Sequence, residues 1–369
     1  MIVLLMLSAV GLLSGFLLMT RVPVCHSVGT TEIDPAEKPQ GSPAPSRNSF
    51  AIIIPARNEE QNLPRLLSSI HELPELAEVV VVDDLSTDRT AEIAREHHAH
   101  IVSPGELPKH YTGKAWACAA GAESSEAANL LFLDADTFFM PNGVRSVVQT
   151  FAAQPPNSAL SVLPYAVTEK LYEELSLFFN LLMAFGAGGF GIVRSPRLFG
   201  QSLFLSRSLY QAVGGHKSVG RFVLENFHLS QRVEAAGGQC VCFGGRGTLH
   251  MRMFPAGLSQ LCNGWTKAFA DGAQSTNPLT LVLSIFWISA LIGIALDTLF
   301  MPHNLRLIVF LLYVLAAAQT LLFSRQIGTF RVLTSVIFPI PLVFFFVIFA
   351  RSVFRRATNR STNWRGRNV

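Results

Sequence analysis

The sequence predicts an α/β domain built on a mostly parallel sheet, with membrane-spanning helices at both ends of the chain. Three observations carry this. Short apolar runs end in acidic clusters, and long uncharged stretches flank the region that holds those runs. The 369-residue chain is also 50% hydrophobic with 15% charged residues, whereas an ordinary soluble enzyme carries about 25% charged. A mean hydropathy of +0.36 agrees with a membrane protein.

Taken in order, Met1 to Thr20 is uncharged and long enough to span a bilayer. It lacks the basic start and small-residue cleavage site of a secretory signal, so residues 1–21 read as an anchor. Residues 22–49, with five prolines and scattered polar side chains, read as a linker. The strand candidates follow. Phe50 to Ile54 leads into Pro55, Arg57, Asn58, Glu59 and Glu60; Val79 to Val82 ends in Asp83, Asp84, Ser86 and Asp88; Leu130 to Leu133 ends in Asp134 and Asp136. Continuous apolar runs this short fit strands buried on both faces. Carboxylates at their carboxyl ends lie where α/β sheets bind ligands, and an Asp-X-Asp there can hold a hard divalent cation that clamps a diphosphate. The acids of Asp83 to Asp88 would equally serve as turn residues and helix N-caps for the stretch from Arg89 to Glu96.

Residues 50–275 read as one catalytic domain, residues 276–350 as C-terminal membrane helices and residues 351–369 as a basic tail. Leu279–Leu296, Leu307–Ser324 and Val332–Ala350 are uncharged stretches of spanning length. The arginines at 351, 355, 356, 360, 365 and 367, with no acid among them, place the tail in the cytoplasm. If the catalytic domain is cytoplasmic too, three crossings are one too many. Val332–Ala350 is then interfacial or re-entrant, broken by Pro339 and Pro341. Leu171–Val193, with Gly186, Gly188, Gly189 and Gly191, reads as an interface or acceptor-channel helix and loop, or as a buried helix of the soluble domain. The five cysteines have no metal-ligand spacing, Cys240 and Cys242 alternate as core residues would, and no structural disulfide is expected in a cytoplasmic domain. The net charge of +4 is mostly the arginine tail, a solvated flank or a lipid contact.

The three acid-ended runs in this order resemble the family 2 glycosyltransferases, over roughly residues 50 to 270. Thr112, Gly113, Lys114, Ala115 and Gly121 look like the stretch ahead of that family's Asp-X-Asp strand. Gly200 to Gly215 looks like its acceptor-side segment, and Leu224, Glu225, Asn226, Leu229, Arg232 and Gly237 follow its Glu-Asp-X-X-Leu helix. Gly264, Trp265, Thr266, Lys267, Gly272 and Ala273, with Trp364 to Arg367, are similar to motifs of the bacterial membrane glycosyltransferases that glucosylate carotenoid acids such as 4,4'-diaponeurosporenoate. Hopanoid and ceramide glycosyltransferases share parts of the pattern.

The resemblance implies a nucleotide-sugar-binding domain of the GT-A kind and an inverting hexosyl transfer, from UDP-glucose, to a long apolar acceptor at the inner face of the cell membrane. It implies that Pro55, Arg57, Glu59 and Asp84 hold the base and ribose, with Lys114 adding positive charge near the nucleotide. Asp134 would contact the ribose or the metal's water shell, and Asp136 would ligate Mg2+ or Mn2+ across the phosphates. Glu225 stands where the catalytic acidic pair begins, although a helix-start acid would also fit there. Asn226 departs from the pattern, because many members carry an Asp base at that place. A carboxylic acid acceptor with a pKa near ~4–5 arrives ionised and needs no base, which favours a glycosyl ester; Glu225 could instead be the base for a hydroxyl. His216, Lys217 or Lys267 could compensate an anionic acceptor. Trp265 could stack beside it or sit as a membrane-interface aromatic. Leu261 and Gly264 replace the Gln and Arg of the processive Gln-X-X-Arg-Trp motif, so a single transfer is expected. No nucleic-acid partner is expected. Competing readings are transfer to a sphingolipid, hopanoid or diacylglycerol hydroxyl, and a non-catalytic scaffold or lipid transporter. Four retained carboxylates, Asp84, Asp134, Asp136 and Glu225, argue against the last.

Overall fold

The structure is a computed structural model and describes residues 2–25, 49–71, 73–186, 190–192, 196–222, 224–275, 277–300, 302–357, 363–364 and 367–368. Of the linker only Val22 to Cys25 and Ser49 fall within these residues, and much of the arginine tail, the centre of the Trp364–Arg367 motif and the glycine pair Gly188–Gly189 lie outside them. The chain forms two compact units, one of residues 24–164 and 198–250, the other of residues 1–23, 165–197 and 251–369.

The first unit is built on seven strands, β1 (Phe50–Ala56), β2 (Leu76–Asp83), β3 (His100–Val102), β4 (Asn129–Leu133), β5 (Ser158–Leu163), β6 (Ser202–Ser206) and β7 (Gln239–Gly244). Their order across the sheet is β3-β2-β1-β4-β6-β5-β7. All neighbours pair in parallel except β6, which runs antiparallel between β4 and β5. Alternate residues of the apolar runs feed two cores. Ile52, Ile54, Val81, Leu131 and Leu133 enter one, and Ile53, Val80, Val82, Leu130 and Phe132 enter the other. That double coverage is what uninterrupted Ile/Val/Leu runs require of a parallel sheet.

The helix Gly113–Ser124 covers the second core with a small-residue face, including Ala117, Cys118, Gly121 and Ala122. A Cβ on Gly121 would come within 2.5 Å of Ile53 and 2.8 Å of Val82, so only glycine lets the helix sit this close. Cys240 and Cys242 are buried on β7, and none of the five cysteines is in a disulfide.

In the second unit the helix Ile2–Leu18 packs along Pro278–Phe300. A Cβ on Gly11 would fall 2.4 Å from the Ala290 methyl, and Ser14 Oγ donates to Leu283 O at 3.1 Å. Gln319, on Arg306–Ile327, donates to Leu12 O at 2.7 Å and accepts from the Trp287 indole at 2.8 Å. Among the described residues two helices, Pro278–Phe300 and residues 303–327, are long and apolar enough to cross a membrane. Their exposed side chains include Leu279, Phe286, Leu307, Phe310 and Leu322. The Ile2–Leu18 helix has 17 residues, about 26 Å at 1.5 Å per residue and short of a ~30 Å bilayer core. Among the described residues, helices of spanning length are found toward the C-terminal end.

The third C-terminal stretch is two helices, Val332–Val336 and Pro339–Ala357, with the break at Ile337. Pro339 opens the second helix, where a missing N–H costs no intrahelical bond. Within the stretch Leu171–Val193, the part from Leu171 to Gly186 is not one apolar helix. A 3₁₀ turn, Leu171–Ser176, precedes the helix Leu177–Gly186, and Glu173 and Glu174 inside it are buried. Arg252 grips Glu173 Oε1 through Nε at 3.0 Å and Nη2 at 2.9 Å, with Glu169 on Nη1 at 2.7 Å. Glu174 accepts from Thr334 Oγ1 at 2.5 Å and from Arg331 N at 3.1 Å. Both acids are thus structural clasps of this unit, which explains how an otherwise apolar stretch carries them.

Candidate active site

The loops after β1 and β2 are stitched together. Arg57 Nη1 donates to Asp84 O at 2.5 Å, Asn58 N to Ser86 Oγ at 3.0 Å, Glu59 N to Thr90 Oγ1 at 2.8 Å, and Glu60 N to Asp88 Oδ2 at 3.1 Å. Asn58 and Leu85 take left-handed φ of 54° and 57°, the strained turns that this cross-stitching maintains. Asp88 also accepts from Thr90 N at 3.0 Å. Burial works against its charge, but the bonds from Thr90 and the Glu60 amide prevail and hold its carboxyl below the usual range. Asp88 thus bonds the first N–H of the helix Thr90–Glu96 from just ahead of its N-cap position, Arg89, and Ser86 joins the two loops. Pro55 lies in β1 and Asp84 is buried at the end of β2, where its N–H donates to Ala56 O at 2.9 Å. Glu59 is buried as well, accepting from Asn62 Nδ2 at 2.8 Å.

The second half of the site is a charged cluster. Thr112 caps the helix Gly113–Ser124, accepting from Ala115 N at 3.4 Å, which sets Lys114 in its first turn. Lys114 Nζ lies 2.7 Å from Asp134 Oδ1, 3.3 Å from Glu225 Oε1 and 2.6 Å from Gly200 O. Burial opposes its charge, but Asp134 and then Glu225 outweigh burial and hold the ammonium protonated far above the lysine range. Glu225, at the first position of the helix Glu225–Ala235, is fully buried. Burial pushes its carboxyl up, and Lys114 pulls it only partly back. Asp136 follows Asp134 in a turn closed by Thr137, whose N–H and Oγ1 donate to Asp134 O at 3.1 and 2.7 Å.

Three successive carbonyls in the segment before β6 support this cluster. Phe199 O accepts from Asn226 Nδ2 at 2.7 Å, Gly200 O from Lys114 Nζ, and Gln201 O from the Asp134 N–H at 3.0 Å. A Cβ on Gly200 would lie 3.5 Å from Lys114 Nζ and 4.0 Å from Glu225 Oε1, so this backbone runs directly past both charges.

A divalent cation fits the donor chemistry here in a limited way. Among the described residues no three His, Cys, Asp or Glu side chains gather as a metal cage. The protein offers the two carboxylates of the Asp134–Asp136 turn, half-buried oxygen donors. That is the kind of seat a Mg2+-like ion uses when substrate phosphates and water supply its remaining ligands.

Of the residues expected on the acceptor side, His216 and Lys217 belong to the first unit and Trp265 to the second. His216 is buried against Phe132 and hydrogen-bonded to Tyr210 at 3.1 Å. Burial, and then the Lys114 charge, drive its pKa down to about 3, so it is neutral and supplies no compensating cation. Lys217 pairs with Glu123 at 2.5 Å and lies over the Trp116 ring. At about 100° per residue, positions 116 and 123 face away from position 114 on that helix, so Lys217 lies against the face opposite Lys114. Trp265 belongs to the second unit and is fully buried. Its indole stacks on Phe179 at 4.7 Å and donates to Ser176 Oγ at 3.0 Å, so it is neither an open stacking platform nor an interface aromatic. The Lys267 side chain lies outside the described residues.

The cluster lies by the carboxyl ends of the strands of an α/β sheet with a single reversed strand, where such sheets bind ligands. The sequence profile described as Glycosyl transferase family 2 matches residues 51–210. The chain is 32% identical to the 4,4'-diaponeurosporenoate glycosyltransferase of Staphylococcus haemolyticus (strain JCSC1435) over 330 residues, 86% of this chain and 88% of that protein. It is 31% identical to the protein of that name from Staphylococcus aureus (strain USA300) over 332 residues, 87% of this chain and 88% of the relative. The chain belongs to glycosyltransferase family 2. Among solved structures it resembles the mannosyltransferase PcManGT from Pyrobaculum calidifontis in complex with GDP-Man and Mn2+, with a TM-score of 0.52 and 17% identity, covering 85% of this chain and 91% of that one. At that identity the likeness is one of fold, and the fold is GT-A.

Proposed function

We propose that this glycosyltransferase moves glucose from UDP-glucose to the carboxylate of a carotenoid acid such as 4,4'-diaponeurosporenoate, with inversion, using Mg2+ or Mn2+. The observation that carries the reading is the Lys114 cluster with Asp134 and Glu225 at the strand ends, in a chain whose curated relatives bear that acceptor's name. Pro55, Arg57, Glu59 and Asp84 would seat the base and ribose. Asp134 and Asp136 would hold the metal, which when bound acts as a Lewis acid on the departing diphosphate. Lys114 adds fixed positive charge beside it. Glu225, buried and raised in pKa, would be the catalytic acid residue, and the acceptor needs no proton removed.

A carboxylate is ionised at neutral pH, so direct attack on the anomeric carbon forms the ester bond as the sugar–phosphate bond breaks and its electron pair leaves with UDP. The long apolar helices would keep the enzyme in the cell membrane beside its acceptor, with catalytic domain and arginine tail cytoplasmic. The test is to incubate membranes containing the protein with labelled UDP-glucose, Mn2+ and the carotenoid acid, then treat the lipid product with mild alkali. A label released by alkali is expected. An alkali-stable product on a sphingolipid, hopanoid or diacylglycerol would establish the hydroxyl acceptor instead, and no transfer to any lipid would favour the scaffold or transporter reading.

A further inference from the structure

We propose that Asn226 is a positioning residue: its side chain fixes the Phe199 carbonyl, and the segment so fixed holds Lys114 and Asp134 in place. The proposal rests on the transferase reading but is independent of the acceptor.

The polar chain has one consistent direction. Tyr210 Oη accepts from the His216 backbone N–H at 3.1 Å, so its own proton is aimed at His216 Nδ1, also at 3.1 Å. A neutral imidazole accepting at Nδ1 carries its proton on Nε2. Asn226 Oδ1 is buried with no hydrogen-bond partner among the described residues. The amide nitrogen donates to Phe199 O at 2.7 Å. Phe199 is held from its other end by Ser161 Oγ, which accepts its N–H at 2.8 Å and donates to Ser202 O at 2.6 Å. Between Phe199 and Ser202, both bonded to Ser161 Oγ, lie the Gly200 and Gln201 carbonyls that carry Lys114 Nζ and the Asp134 N–H.

An aspartate at 226 would have no proton for Phe199 O when ionised, and its charge would be buried beside Glu225. The asparagine is therefore demanded by the backbone it supports, whatever the acceptor. When protonated, the aspartic acid regains a donor. Burial and the neighbouring Glu225 favour that protonated form, whereas Lys114 and any charge on His216 oppose it.

The test compares parent, Asn226→Asp and Asn226→Leu between pH 6 and pH 8, with the full chain in membranes. Transfer is followed together with hydrogen exchange of the peptide containing Asp134. At pH 8 both variants should lose about tenfold in kcat, the scale of one lost buried hydrogen bond, and the Asp134 amide should exchange faster than in the parent. Towards pH 6 the Asp variant should recover relative to the parent, and the Leu variant should not. An Asp variant equal to the parent at pH 8, or one that gains on it as pH rises, would overturn the proposal and make residue 226 a base position. If the parent transfers nothing, the transferase reading fails, and unchanged exchange at Asp134 would still sink the positioning role separately.

Discussion

The Lys114 ammonium lies 3.3 Å from the Glu225 carboxylate and closer still, at 2.7 Å, to Asp134. One cation thus neutralises two acids borne on different elements, and removing it leaves like charges facing each other. Lys114→Met is expected to lower kcat/KM by about 100-fold or more, the scale of a lost electrostatic contact to a leaving group. Glu225→Gln separates chemistry from folding. Because burial raises its folded-state pKa, ionising Glu225 lowers stability as pH rises above the unfolded value of about 4.5. The Gln variant should lose transfer while its Tm at pH 8 stays level or rises, and a fall of several degrees would show that the ion pair stabilises the fold.

Asp136 tests the metal assignment. Asp136→Asn keeps shape and removes one hard oxygen charge, so transfer should disappear while the protein remains folded in the membrane. Parent activity should vanish in a chelator and return with added Mg2+ or Mn2+. Full activity in the chelator would rule out the cation.

His216 makes a prediction about stability and pH. Its pKa falls from 6.5 to about 3 on folding, through burial first and the Lys114 charge second. A depressed pKa gives stability that is fully present above the unfolded value and is lost as pH falls towards the folded one. Between pH 7.5 and 5 the unfolded histidine takes up its proton and the folded one does not, which costs about 2 kcal/mol. His216→Gln should flatten that part of the stability profile, as measured by denaturation over the same range. An unchanged slope would place the acid sensitivity elsewhere.

What the sequence revealed depended on whether a feature has a side-chain signature. β1, β2 and β4 were legible because each is a short run rich in Ile, Val or Leu, bounded by polar residues or proline, as two-sided burial requires. The antiparallel β6 was not read as a strand, since Ser202–Ser206 resembles any partly polar segment. The carbonyls of Phe199, Gly200 and Gln201 bear no trace in residue type, because every residue has one. Lys114 was singled out, but its link to Glu225 depends on two helices meeting. His216 looked like a cation because only burial, invisible in the sequence, makes it neutral. Glu173 and Glu174 did leave a signal, two adjacent acids in an otherwise uncharged stretch, and buried partners such as Arg252 are what such acids require.

Trp265 shows where composition misled and how that can be checked. A tryptophan near membrane helices suits an interface belt or an acceptor platform, yet this ring is enclosed by Phe179 and Phe254 with its N–H on Ser176. Its work is packing within its own unit. Trp265→Phe keeps most of the stacking and loses one hydrogen bond, so it should cost about 1 kcal/mol of stability and leave the acceptor KM unchanged. Trp265→Ala opens a cavity and should cost about 3–5 kcal/mol, seen as loss of folded protein and not as weaker acceptor binding. Kinetics of the Phe variant over a range of acceptor concentrations decide the matter: a KM raised tenfold at unchanged kcat would mean that the ring does meet the acceptor.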